Sequence, residues 1–149
     1  MSSPACKVTD ITSLIPQRPP ILMVDGYFFE DDLHCRSELT VAADNMFLGK
    51  GGCVAEEGLL EHVAQTSAAH IGHIRKMEGQ SVTLGYIGDI KRAVFTPPMP
   101  AAGDTLHTKL TVVSQVGNVT LVSAETSVDE RVVLTCRMKL ANENEGDAR

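Results

Sequence analysis

Glu61 and Gln65 stand one helical turn apart in the run Gly58 to Gly72, Gly-Leu-Leu-Glu-His-Val-Ala-Gln-Thr-Ser-Ala-Ala-His-Ile-Gly. At a period of about 3.6 residues, Gly58, Glu61, Gln65, Ala68 and Gly72 share one stripe. Long polar side chains alternate there with the smallest residues available. A helix so rich in Gly, Ala and Ser can lie very close to another backbone. A carboxylate at the edge of such a contact is a candidate for proton transfer, with Gln65 placed to hold it. The plain alternative is a solvated Glu with a helix-surface neighbour at i+4.

Other groups are weaker candidates. An apolar arc of Leu60, Val63, Ala64, Ser67, Ile71 and Ile74 runs beside the stripe, and His62, Thr66, His70 and His73 fall on the side away from it. That placement predicts surface or dimer-contact histidines. The His70-x-x-His73 spacing suits a metal, but no third ligand is apparent, so no metal is expected. His62 adjoins Glu61, but a neighbour at i+1 points about 100° away, so a role as displaced base needs a bent helix start. Cys53 lies in a Gly-rich loop with no base partner and reads as a plain thiol.

The helix has to be positioned by something. Gly49, Gly51 and Gly52 mark a loop before it, and a helix is predicted from about Glu57 to Lys76. Ahead of it, residues 8 to 15 suggest a short helix capped by Thr9 or Asp10, broken by Pro16, Pro19 and Pro20. Ile21 to Asp25 reads as a buried extended segment leading into Tyr27-Phe28-Phe29. After an Asp31-Asp32 turn, His34 to Ala42 alternates as a strand. Four more strands follow: Val82 to Phe95, Thr105 to Gln115, Val119 to Val128, and the clear alternation Val132, Leu134, Cys136, Met138, Leu140. The order is strand, strand, long helix, then four strands. This is α+β, with the helix packed into a curved antiparallel sheet.

Composition narrows the class. The chain has 149 residues, enough for one domain with its own core, ending in a polar tail from about Asn142. Net charge is −6 with no block of Lys or Arg, which argues against nucleic acid as a partner. With four Phe, two Tyr and no Trp, aliphatics and Met must fill the core. Cys6, Cys35, Cys53 and Cys136 form no CxxC pair, and the opening residues carry no apolar segment typical of a signal peptide. A reduced cytoplasm is the expected home. No apolar run approaches the roughly 18 residues of a membrane span.

The order of elements resembles the hotdog fold, and the residues resemble the bacterial 3-hydroxyacyl-[acyl-carrier-protein] dehydratases. Leu14-Ile15-Pro16-Gln17-Arg18-Pro19-Pro20-Ile21-Leu22-Met23-Val24-Asp25 is similar to their opening Leu-Leu-Pro-His-Arg-x-Pro-Phe-Leu-Leu-Val-Asp. Leu59-Leu60-Glu61-His62-Val63-Ala64-Gln65 resembles their active-site helix, Leu-Ile-x-Glu-x-x-Ala-Gln. Ile90 to Phe95, Pro98 and Gly103-Asp104 resemble a later segment and its Pro-Gly-Asp turn. The dehydratase-like proteins of aryl-polyene clusters are the nearest likeness, sharing Ala-Gln-Thr in the helix and Leu84-Gly85 before the long strand. Two departures stand out. Phe47-Leu48-Gly49-Lys50-Gly51-Gly52 replaces a Phe-x-Gly-His-Phe-Pro-Gly loop, so Lys50 stands where the catalytic His would be. Gln17 replaces the His of the opening motif.

The resemblance implies dehydration of 3-hydroxyacyl thioesters on acyl carrier protein, in fatty-acid or polyene-type biosynthesis, with no cofactor. A base takes an α-proton and an acid protonates the leaving hydroxyl. Glu61, partly buried, would be the acid, and Gln65 would fix it. Lys50 is a poor base at neutral pH, and contact with an acidic carrier or a phosphate is its other reading. An acyl tunnel along the helix would be lined by Met23, Gly58, Leu60, Ala64, Ala68 and Ile87. A dimer is expected, of identical chains or with a paralogue, since pairing would join two sheets at their edges. Coenzyme A is the alternative carrier. The competing functions are a hotdog thioesterase, with Glu61 activating water, and a catalytically degenerate subunit of an active dehydratase.

Overall fold

A computed structural model describes residues 7–83 and 85–143. Cys6, Leu84 of the Leu84-Gly85 pair and the tail beyond 143 lie outside the described residues. Strand β1 is Lys7–Val8, followed by a 3-10 turn at Ile11–Ser13 where the sequence suggests a longer helix. Then come β2 (Gly26–Asp31), β3 (His34–Thr40), the helix α1 (Glu56–Met77), β4 (Gly85–Phe95), β5 (Thr105–Val116), β6 (Val119–Val128) and β7 (Arg131–Asn142). All pair antiparallel in one seven-stranded sheet of order β1-β2-β3-β5-β6-β7-β4. This is the α+β arrangement the sequence predicts, with β1 added at one edge.

The strands form where alternation and turn chemistry agree. Two-residue loops join β5 to β6 at Gly117-Asn118 and β6 to β7 at Asp129-Glu130. Asp129 and Glu130 both take positive φ (49° and 67°), which matches the strand twist that tight hairpins require. In β7, Leu134, Cys136, Met138 and Leu140 are buried while Thr135, Arg137 and Lys139 face out. Asn142 does not fray: its N–H donates to the Asn118 carbonyl at 2.8 Å, and the Asn118 amide donates back to the Asn142 carbonyl at 2.6 Å.

The helix departs from a one-sided amphipathic surface. Val63, Ala64 and Ser67 of the expected arc are buried, but so are Leu59, His62, Thr66, Ala69 and His70, while Leu60, Ile71 and Ile74 are only partly covered. The sheet covers one side of the helix and the N-terminal segment crosses another, so most of its circumference is enclosed. At Gly72 the approach is extreme: a Cβ there would lie 2.1 Å from the Leu14 carbonyl oxygen. Gly72→Ala is therefore expected to destabilise the protein. Helix propensity alone favours Ala by about 1 kcal/mol. Overpacking against rigid backbone costs roughly 1–3 kcal/mol or more, and here it wins. A urea midpoint that rises in Gly72→Ala would overturn this.

Candidate functional site

Gln65 is fully buried and is the hub of the site. Its Nε2 donates to Glu61 Oε1 at 2.8 Å and to the Ile21 carbonyl at 2.8 Å. Its Oε1 accepts from the Met23 N–H at 2.6 Å. Ile21 to Asp25 belongs to no strand; Ile21 and Asp25 donate to backbone carbonyls, but the Ile21 carbonyl and both backbone groups of Met23 need other partners. Gln65 supplies two, and His62 supplies a third by donating from Nδ1 to the Met23 carbonyl at 2.6 Å. The same carboxamide thus latches the segment to the helix and orients the half-buried Glu61.

Glu61 opens into a cleft of about 280 Å³. Ala64 and Ala68, on the same helix face, give it room. Ile87, with Tyr86 beside it at the start of β4, forms a wall, and Leu140 lies opposite Ile87 in β7. Gln17, from the Pro-rich segment, closes another side. The result is a carboxylate held by a buried amide in a cleft of mixed polar and aliphatic lining. Larger hollows lie at the C-terminal end of α1, along the sheet around β3, β5 and β6, and at the turn between β2 and β3 from Phe29 to His34.

Four of the residues expected from the sequence therefore share one cleft: Glu61, Ala64, Ala68 and Ile87, with Gln65 directly behind Glu61. The other four do not line it. Met23 is fully buried with its backbone held by Gln65 and His62. Gly58 is packed beneath Phe47 and Val54, where a Cβ would lie 2.5 Å from Phe47 Cβ. Leu60 packs against the core. Lys50 is exposed at the tip of the turn closed by Gly52 N–H to the Gly49 carbonyl, 3.0 Å. Cys53 is partly buried there, its thiol 3.9 Å from the Gly51 carbonyl. Sequence reasoning missed Gln17, Gly85, Tyr86 and Leu140 as lining groups. β4 is exposed along much of both faces, so it has no burial alternation, and only the Ile87–Leu140 pairing reveals which side chains meet the helix.

The histidines correct the sequence expectation. His62 and His70 are core residues, 0% and 1% exposed. His62 donates from Nδ1 to Met23, so its Nε2 accepts from the Thr108 hydroxyl at 2.9 Å, and Thr108 in turn accepts from Thr126 at 2.6 Å. Ser37 and Thr66 are hydrogen-bonded at 2.6 Å beside it. His70 Nε2 donates to the Asp32 carbonyl at 2.8 Å and Nδ1 accepts from the Tyr27 hydroxyl at 2.6 Å. His73, partly exposed, lies over Tyr27 and Phe29. Burial drives the His62 pKa down to about 4 and lowers that of His70. The wheel placed these residues opposite the apolar arc, but inward-facing Ser and Thr of the sheet make that side a polar core layer. His62 points into this layer, away from the cleft.

Comparison with known proteins decides the family. The ApeP-like family, described as ApeP dehydratase, matches residues 9–148. The chain belongs to the ApeP-like dehydratases. No curated protein matches it. Among solved structures, the dehydratase heterocomplex ApeI:P from Xenorhabdus doucetiae is similar over 99% of this chain and 95% of that one, at 19% identity and TM-score 0.85. A hypothetical thioesterase with coenzyme A from Streptococcus pneumoniae is similar over 89% and 91%, at 15% identity and TM-score 0.61. The E. coli PaaI protein is similar over 77% and 80%, at 17% identity and TM-score 0.60. These likenesses establish a hotdog fold for this ApeP-like dehydratase, with its helix carrying Glu61 against the antiparallel sheet.

Proposed function

We propose that this chain acts in the dehydration of 3-hydroxyacyl thioesters carried on acyl carrier protein, with Glu61 as the general acid. The observation that carries this reading is the Gln65–Glu61 hydrogen bond at a cleft walled in part by Ala64, Ala68, Ile87 and Leu140. Gln65 Nε2 occupies Oε1, which leaves Oε2 to hold the proton. In the reaction, Glu61 gives that proton to the 3-hydroxyl oxygen and the C3–O bond breaks. A base takes the C2 proton, the freed electron pair forms the C2=C3 bond, and water leaves.

Glu61 is the one charged side chain among the described cleft residues, and no basic group accompanies it. The base therefore comes from a partner subunit. The unpaired edge of β4 supports such a partner. It is eleven residues long and, beside the charged Asp89, Lys91 and Arg92, exposes Tyr86, Ile87 and Val94, apolar groups that a partner strand would cover. The similar ApeI:P structure is a heterocomplex, which favours a paralogue over a second copy. Lys50, at an exposed turn outside the cleft, suits contact with an acidic carrier surface.

The test is a product assay on a 3-hydroxyacyl carrier protein, with this chain alone and mixed with a hotdog paralogue. The expected product is the enoyl thioester, formed in the mixture. Free acid and thiol would instead make Glu61 the activator of water in a thioesterase, a reading the absence of a base from the cleft also permits.

A further inference from the structure

Two buried side-chain atoms lack a hydrogen-bond partner among the described residues, Gln17 Oε1 and Ser67 Oγ. Only Gln17 lines the cleft of Glu61. Its side chain makes no hydrogen bond within the described residues, although the Gln17 carbonyl accepts from the Arg18 guanidinium at 2.9 Å. A buried acceptor with nothing to accept is costly, so native structures rarely keep one without a use. Gln17 borders the cleft, where a ligand that donates would satisfy its oxygen.

The proposed chemistry supplies that donor. If Glu61 donates its proton to the substrate's 3-hydroxyl oxygen, the hydroxyl's own hydrogen points elsewhere and needs an acceptor. Gln65 is not placed to provide one: it is fully buried behind Glu61, does not line the cleft, and its oxygen already accepts from the Met23 N–H. Ala64, Ala68, Ile87 and Leu140 have no side-chain acceptor; Tyr86 carries a hydroxyl, but the residue is exposed and its side chain can bond to water, whereas Gln17 Oε1 is buried without a partner among the described residues. We infer that the Gln17 carboxamide oxygen accepts the hydrogen of the substrate's 3-hydroxyl and so selects hydroxyacyl over unsubstituted acyl chains. Oε1 is buried beside the cleft, so accepting from the substrate requires rotation about the terminal Gln torsion, which is soft. The hydroxyl is then fixed between two groups, with a lone pair aimed at Glu61. Gln17 exchanges no proton.

This inference rests on the dehydratase reading, and its test separates the two. Two probes of equal chain length are compared: a 3-hydroxyacyl pantetheine amide and its 3-deoxy counterpart, in which an amide replaces the reactive thioester. Binding is measured to the full chain with its partner, for the parent and for Gln17→Leu. The parent is expected to prefer the hydroxylated probe by roughly five- to tenfold, the usual worth of one hydrogen bond. Gln17→Leu is expected to bind both alike, with the deoxy probe unweakened. Gln17→Glu, which keeps an acceptor, is expected to retain a preference. An undiminished preference in Gln17→Leu overturns the inference and leaves the dehydratase reading standing. If the parent binds neither probe, that reading fails and the inference falls with it.

Discussion

Turnover of a 3-hydroxyacyl thioester is expected to fall by roughly 10²-fold or more in Glu61→Gln, the usual scale for losing a general acid, while the fold survives. The substitution keeps the shape of the side chain. Its carboxamide oxygen can still accept from Gln65 Nε2, so the local hydrogen bond is conserved and only the transferable proton is lost. The measurement is single-turnover formation of the enoyl product with saturating partner subunit, alongside a urea unfolding curve. Full activity in Glu61→Gln would remove Glu61 from the chemistry. Gln65→Ala is a poorer test than its place in the sequence suggests. It would also strip the Met23 N–H and the Ile21 carbonyl of their partner, and each buried group left unpaired costs about 1–3 kcal/mol. Loss of activity there would mix orientation of Glu61 with unlatching of the segment.

Stability is expected to drop steeply as pH falls from about 6.5 to about 4. His62 has an ordinary value of 6.5 and a folded value near 4, lowered first by desolvation and raised back in part by its bond to Met23. The unfolded chain therefore binds the proton more readily than the folded one. The stabilising effect of keeping His62 neutral is fully present above pH 6.5 and is lost on the way down to pH 4. The difference corresponds to about 3 kcal/mol at most. His70 is shifted in the same direction and adds to the loss. There is a structural reason as well: a protonated His62 must donate from Nε2, so Thr108 and Thr126 would have to reverse their hydrogen bonds. Urea unfolding at fixed protein concentration at pH 7.5, 6.0 and 4.5 measures this, with His62→Gln as comparison. The parent should lose stability over that range, and His62→Gln should lose less. A flat profile in the parent would mean that His62 is not held neutral in the fold.

Much of the architecture was legible in the chain because local signals agreed. The period of β7, the turn residues Gly117-Asn118 and Asp129-Glu130, and the small-residue run from Gly58 to Gly72 each have a local physical cause. Together they specify one helix and its strands. The pairing of Glu61 with Gln65 was also readable, because side chains at i and i+4 on a helix meet wherever the helix lies. What the chain could not declare were contacts between residues distant in sequence. A helical wheel ranks His62 and His70 by their own polarity. Only the placement of Ser37, Thr108, Thr126 and Tyr27 across the helix turns that side into a hydrogen-bonded interior. Ile21 to Asp25 looks like a strand by composition, yet only Asp25 bonds to a strand, through its N–H to the Glu38 carbonyl, while the Ile21 carbonyl and both backbone groups of Met23 are met by the side chains of Gln65 and His62. Gln17, Glu61 and Tyr86 belong to three separate segments, and it takes the pairing of β4 with β7 over the helix to bring them around one cleft.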